Sequence, residues 1–271
     1  MVSVAARRPR VTGRRYRSVT LGALGLIGFG LVLEVAPRIG VVPIDFAPPT
    51  SQILVTLVEQ LDQGSFWTAL LRTLTTWASG LAIAVVAGAV IGVLLGSLPI
   101  LRAATATTIE FLRPIPSVAL IPLVIVLYGT TPRSTITLVV YAAFWQMLIQ
   151  VMHGVADVDP VALDTARSFR LGPWAKVRYV VWPSALPYVM TGLRLAAAVA
   201  LILTITGELV IGSPGLGKEI DTAQQSNEVR TVYALILVTG VLGVLINLVI
   251  RRGERALLSW HPANRAEKGA A

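Results

Sequence analysis

Cysteine is missing from this chain of 271 residues, so it carries no disulfide framework, no thiolate metal site and no cysteine nucleophile. Histidine is nearly missing as well. His153 and His261 are far apart in sequence, which leaves no histidine metal site to argue for. Two isolated histidines and scattered carboxylates cannot be assembled into a Ser–His–acid set, so no catalytic residue is assigned and no enzyme is expected. Charge is scarce too: 14% of residues are charged against 55% hydrophobic, and the mean hydropathy is +0.74. That is too apolar for a soluble domain of this size and implies several membrane spans. Acid is scarcer than base, 14 residues against 23, for a formal net charge of +9. In a soluble protein such an excess would suggest nucleic acid as a partner. Here the cations cluster at the ends of apolar runs, as the positive-inside rule describes, so no nucleic acid is expected. No tandem repeat is visible, and no cofactor is implied.

The apolar runs predict an all-α, polytopic membrane protein of six spans. Residues 1–17 form a basic tail containing Arg7, Arg8, Arg10, Arg14, Arg15 and Arg17. The run Ser18 to Ala36 is long for a signal-peptide core and no small-x-small cleavage site follows, so it reads as a first span. Pro37 to Ala47 is an exterior connection. From Pro49-Thr50-Ser51 an amphipathic helix follows, with Ile53, Leu54, Leu57, Val58 and Leu61 on one face, broken at Gly64-Ser65. The second span covers about Leu71 to Leu98, where Gly80, Ala84, Gly88, Gly92 and Gly96 recur every four residues and invite close approach of another helix. The third span, Ala104 to Tyr128, contains Glu110, Arg113 and the kinking group Pro114-Ile115-Pro116. Glu110 and Arg113 are spaced to pair as a structural ion pair; the alternative is a role on a pathway. The fourth span is Ser134 to Met152, the fifth Leu186 to Ile211, and the sixth Thr231 to Ile250. Residues 18–250 thus form the membrane unit and 251–271 a C-terminal tail. Arg102, Arg251, Arg252, Arg255 and the cations of the long polar interval fall on one side, which places both termini in the cytoplasm and the chain in the cytoplasmic membrane.

That polar interval, Asp157 to Pro187, has a layout of its own. Asp159-Pro160 reads as an N-cap and first helical residue. Val161 to Arg170 makes a short helix, Gly172 ends it, Pro173 opens a second, and Pro183 closes that one. An amphipathic surface loop and a helix–turn–helix docking element both fit these residues taken alone.

The interval resembles the EAA loop of ABC-importer permeases, the cytoplasmic segment that fits a cleft on the ATPase subunit. Asp164, Thr165 and Ala166 stand for Glu-Ala-Ala, and Trp182-Pro183 for a later Leu-Pro. Arg167, Ser168 and Trp174 sit where the sulfonate/taurine/nitrate branch has Arg, Ser and Trp. The acid is one methylene shorter, and Arg170 occupies the family's glycine position, so the turn is expected at Gly172-Pro173. The segment EFLRPIPSVALIPL and the ending ERALLSWHP resemble the same branch, so the likeness runs from about Ala47 to Pro262. It implies that the chain is a permease subunit, with the coupling loop at about 157–183. The implied partners are a second copy of the chain, cytoplasmic ATPase subunits, an extracytoplasmic substrate-binding protein and the lipid bilayer. The implied solute is a small anion of the sulfonate, taurine or nitrate type; the branch also handles thiamine-precursor pyrimidines. The resemblance further implies that the fifth span lines the dimer axis. Arg194 and Glu208, fourteen residues apart, are close to four turns of about 3.6 residues and share a face with Thr204. Those residues and Arg113 are the pathway candidates, the alternative being buried structural partners.

One motif argues the other way. Gly212-Ser-Pro-Gly-Leu-Gly217-Lys218 has the glycine and lysine spacing of a phosphate-binding loop, but Glu219 stands where a Ser or Thr should bind magnesium. No strand precedes it. ATP use is therefore expected on a separate subunit. A gradient-driven secondary transporter, the rival class, would show inverted repeats and discontinuous helices, and neither is visible.

Overall fold

The computed structural model describes residues 12–258 of the chain. All regular structure among them is helical. In chain order the helices are α1 (Thr12–Arg38), α2 (Thr50–Leu61), α3 (Gly64–Ser97), α4 (Pro99–Leu112) and α5 (Ile121–Tyr128). There follow α6 (Pro132–Ala156), α7 (Pro160–Ser168), α8 (Pro173–Ile211), α9 (Leu216–Gln225) and α10 (Val229–Leu257). Five of these, α1, α3, α6, α8 and α10, are long and apolar enough to cross a membrane; α4 together with Ser117–Tyr128 makes a sixth, bent by 79°.

The third span bends at the Pro114-Ile115-Pro116 group the sequence marked as kinking, and the bend is a break between two helices. Pro114 and Pro116 have no N–H to give, so the backbone ladder cannot continue through them, although Arg113 itself keeps helical angles of φ −57° and ψ −42°. The chain leaves α4 at Arg113 and resumes in a short 3₁₀ turn, Ser117–Leu120, ahead of α5.

The centre of the fold is α6, packed between α3 and α8. The small-residue stripe of α3 lies against it: a Cβ on Gly80 would meet Val139 Cγ1 at 2.6 Å, one on Gly88 Met147 Cβ at 2.8 Å, and one on Gly92 Val151 Cβ at 2.8 Å. On its other side α6 meets α8 through Gly154 against Tyr188 and Gly207 against Thr135, where an added Cβ would come within 2.6 and 2.8 Å. In lipid there is no hydrophobic gain from joining two apolar helices, so this close backbone approach supplies the attraction through dispersion contacts. Leu138, Val139, Ala143, Ala196, Ala197 and Ala200 fill the resulting core. Helices α10 and α1 lie at the periphery, with 11% and 6% of their apolar windows buried.

Two boundaries move. Helix α10 continues past Ile250 to Leu257, so the tail placed at 251–271 begins as helix. Pro183 does not close the second helix of the polar interval, because α8 runs on through Pro183 and Pro187 to Ile211. Its register is relaxed there by a π-helical turn, Val177–Val181. The basic tail falls largely outside the described residues. The amphipathic helix α2 is present and none of its residues is buried. Its first turn is capped from α1, where Glu34 accepts hydrogen bonds from the Ser51 N–H and Oγ, both at 2.9 Å. A carboxylate there suits the positive end of a helix dipole.

Candidate functional site

The α7–α8 hairpin is built from its caps inward. The Asp159 carboxylate accepts the Val161 N–H at 2.8 Å, and Pro160 occupies the first turn where no N–H is needed. At the other end of α7, the Leu171 N–H reaches the Ala166 carbonyl at 3.0 Å and the Arg170 N–H reaches the Arg167 carbonyl at 2.8 Å. This pair of bonds is a Schellman motif, whose C′ residue is left-handed. That residue is Arg170, at φ +52°. Gly172, expected to make the turn, is extended at φ −62° and ψ 162° and serves instead as the N-cap of α8. The turn thus sits where the resemblance wants a glycine, although arginine fills the position at a cost of about 1–2 kcal/mol.

The motif residues divide by what they touch. Ala166, expected on the docking face, is 4% exposed and faces into the hairpin. Asp164 and Arg167 pair with each other at 2.7 Å on the surface, each side chain 69% exposed. The Thr165 and Ser168 hydroxyls are turned back onto the Val161 and Asp164 carbonyls at 2.8 and 3.0 Å. Beside that pair the hairpin presents three aromatic side chains outward: Phe169, Trp174 and Tyr179 are 76%, 77% and 70% exposed. Phe169 was not singled out in the sequence, and Tyr179 only as one of the polar residues of the second helix. Their signal was large apolar side chains in a polar stretch. The base of the hairpin is tied to the membrane helices by the Tyr188 hydroxyl, which donates to Asp157 Oδ2 at 3.0 Å.

At the far end of α8, Glu208 is fully buried. One of its oxygens, Oε2, accepts from Thr73 Oγ1 of α3 at 2.8 Å and from the Gly217 N–H at 3.0 Å. Thr73 Oγ1 in turn accepts the Leu216 N–H at 2.8 Å. Ser213 and Thr135 of α6 share a hydroxyl–hydroxyl bond of 2.7 Å. The glycine turn after α8 is thereby folded over the carboxylate; a Cβ on Gly215 would lie 2.2 Å from Glu208 Cδ. Where a phosphate-binding loop would hold its phosphate, this loop holds a side chain of its own protein.

The pathway candidates are thus dispersed. Glu208 and Thr204 have no exposed surface in the protomer, and the Thr204 hydroxyl donates to the Ala200 carbonyl at 2.8 Å. Glu208 lies against α3 and the glycine turn. Arg194 pairs with Glu254 of α10. Glu254 is the one acid in that helix, the signal by which it could have been found. Glu110 and Arg113 make no ion pair among the described residues, contrary to the sequence expectation. Both face a cavity of about 570 Å³ between α4 and α6, which Arg102 and His153 also line.

Residues 84–258 match the family described as binding-protein-dependent transport system inner membrane component. The chain is 29% identical to the taurine transport system permease protein TauC of Escherichia coli, over 80% of each chain. It is 28% identical to the putative aliphatic sulfonates transport permease protein SsuC of Bacillus subtilis, over 84% of this chain and 83% of that one. It is 31% identical to the bicarbonate transport system permease protein CmpB of Synechococcus elongatus, over 73% and 71%. Among solved structures it superposes on a chain of the inward-facing MetNI methionine ABC transporter with a TM-score of 0.62 at 19% identity, covering 71% of this chain and 96% of that one. A chain of a bacterial alginate ABC transporter gives 0.63 at 16% identity, over 92% and 100%.

Proposed function

The chain belongs to the binding-protein-dependent transport system inner membrane components, and from that membership we propose how its parts work and what it carries. It is the multi-pass permease of an ABC importer, and ATP hydrolysis resides in a separate ATPase subunit. Such permeases work with ATPase subunits and a substrate-binding protein. The finer reading is a homodimer whose α7–α8 hairpin and both termini face the cytoplasm, carrying a small anion of the taurine, sulfonate, bicarbonate or nitrate type.

The observation that carries this reading is the hairpin itself. It presents Phe169, Trp174 and Tyr179 to solvent, whereas monomeric surfaces seldom leave such side chains grouped and uncovered. The same helix that displays Trp174 runs without a break into the membrane core as far as Ile211. A movement imposed on the hairpin is therefore delivered to α8, and packed helices respond by shifting between a few discrete arrangements. The direct ATPase contacts are assigned to Phe169, Trp174, Tyr179 and the Asp164–Arg167 pair. Ala166, Ser168, Arg170, Gly172 and Pro183 shape the hairpin that presents them. The solute class is supported by the likeness to permeases of taurine, aliphatic sulfonates and bicarbonate transport systems.

The test is co-purification. Trp174→Asp together with Phe169→Asp should leave the chain inserted and monodisperse in detergent while the ATPase no longer purifies with it. Undiminished recovery of the ATPase with that double variant would refute the assigned surface.

A further inference from the structure

The cavity between α4 and α6 has a depth that the topology fixes. The Tyr141 hydroxyl donates to the Leu112 carbonyl at 2.7 Å, so the end of α4 lies level with Tyr141. Tyr141 stands nine residues into α6 and fifteen from its other end. At about 1.5 Å per residue, that is about 14 Å from one face of the membrane unit and about 22 Å from the face carrying α7. Helix α4 therefore climbs from the hairpin face to the middle of the bilayer and stops there, at Arg113 and the two prolines. Broken helices in membrane proteins are tolerated where the freed backbone lines a cavity or is covered by protein.

Arg113 is exposed in the protomer, and among the described residues no carboxylate pairs with it. An arginine at mid-bilayer facing lipid is costly, so this one faces water or the partner copy. Arg102, Ala106, Glu110 and Arg113 recur along one side of α4, and His153 closes the cavity from α6 at its shallow end. Cationic groups thus stand at both ends of a cavity of about 570 Å³. Glu110 is its single acid and lies one turn below Arg113.

We propose that Arg113 is a solute-binding residue, whose guanidinium takes a small oxyanion (sulfonate, bicarbonate or nitrate in shape) at mid-membrane, and that Arg102 and His153 form the exit toward the hairpin face. A planar guanidinium offers paired N–H donors that match two oxygens of such an anion. Glu110 keeps that grip weak by competing for the same charge, which a transport site needs if the solute is to leave. The assignment rests on the importer reading above and adds to it the residue that recognises the anion.

Two measurements test it. In the reconstituted complex of permease, ATPase and binding protein, Arg113→Gln should lower ATP-driven uptake of radiolabelled taurine by about ten- to hundredfold, the loss expected for one charge-assisted contact. The ATPase should still co-purify with that variant, showing an intact assembly. Arg113→Lys should keep part of the uptake. Unchanged uptake by Arg113→Gln would overturn the proposal. The second measurement needs no transported solute. With no native cysteine in the chain, Ala106→Cys in the nucleotide-free complex should react faster with an anionic methanethiosulfonate than with a cationic one, and adding Arg113→Gln should reduce that preference, Arg102 remaining one turn away. Equal rates in the single variant, or no labelling at all, would overturn the anion site. A preserved charge preference without taurine uptake would instead overturn the solute named under the importer reading and leave the site standing.

Discussion

Glu208 shows how one carboxylate can organise a junction of three helices. It is buried at the end of α8, takes one hydrogen bond from α3 and one from the turn leading into α9, and leaves room beside it for nothing larger than glycine. Removing it strands the Thr73 hydroxyl and the Gly217 N–H in a dry interior, and each stranded group costs about 1–3 kcal/mol. Glu208→Ala should therefore lower the thermal unfolding temperature of the purified protein in detergent by several degrees, while Glu208→Gln, which keeps an acceptor in place, should lower it less. Equal unfolding temperatures for the native and alanine forms would show that the turn is held by something else. Arg170 makes the opposite case, a residue working against its backbone. At φ +52° it pays the left-handed penalty that glycine avoids. Arg170→Gly should raise the stability of the hairpin by about 1 kcal/mol and leave ATPase co-purification intact. Loss of the ATPase in that variant would show that the guanidinium itself makes a contact.

At the scale of elements, the stability of the membrane unit is a matter of how closely α3 and α8 approach α6. The glycines of α3 are the condition for that approach, since a side chain at Gly92 would stand 3.0 Å from the Leu148 carbonyl and 2.8 Å from Val151 Cβ. Gly92→Leu should separate the helices and give a protein that aggregates on extraction, whereas Gly22→Leu, on α1, where nothing lies within 4 Å of the added Cβ, should behave as the native chain. A monodisperse Gly92→Leu protein would contradict this packing. This stripe was legible in the sequence because spacing on a helix depends on residues close in the chain. So were the Asp159-Pro160 cap and the opening of a helix at Pro173. The path of the chain at prolines was legible only in part. Pro114 and Pro116 broke the third span and Pro183 failed to break α8, although all three are the same residue. The difference lies in the neighbours: a π-helical turn takes up the misfit before Pro183, and no such turn precedes Pro114. Contacts distant in sequence were hidden. Thr73 and Glu208 lie 135 positions apart, and no local pattern joins them. For Ala166 the motif gave no direction for the side chain, which is buried.

For the molecule as a whole, the two ends of α8 do different things. One end carries the hairpin with its exposed aromatic residues; the other is locked to α3 and the glycine turn through Glu208 and Thr73. In the proposed coupling, a helix gripped at one end and driven at the other turns a push on the surface into a change at the membrane centre, where α4 is broken. The central claim is that this chain moves its solute only when an ATPase acts on it. It is tested most directly by uptake into proteoliposomes holding the chain, its ATPase and the loaded binding protein. The account predicts uptake that requires ATP and all three components, stops with a non-hydrolysable analogue, and is insensitive to collapse of the proton gradient. Uptake that persists without the ATPase and disappears when the proton gradient is collapsed would contradict it.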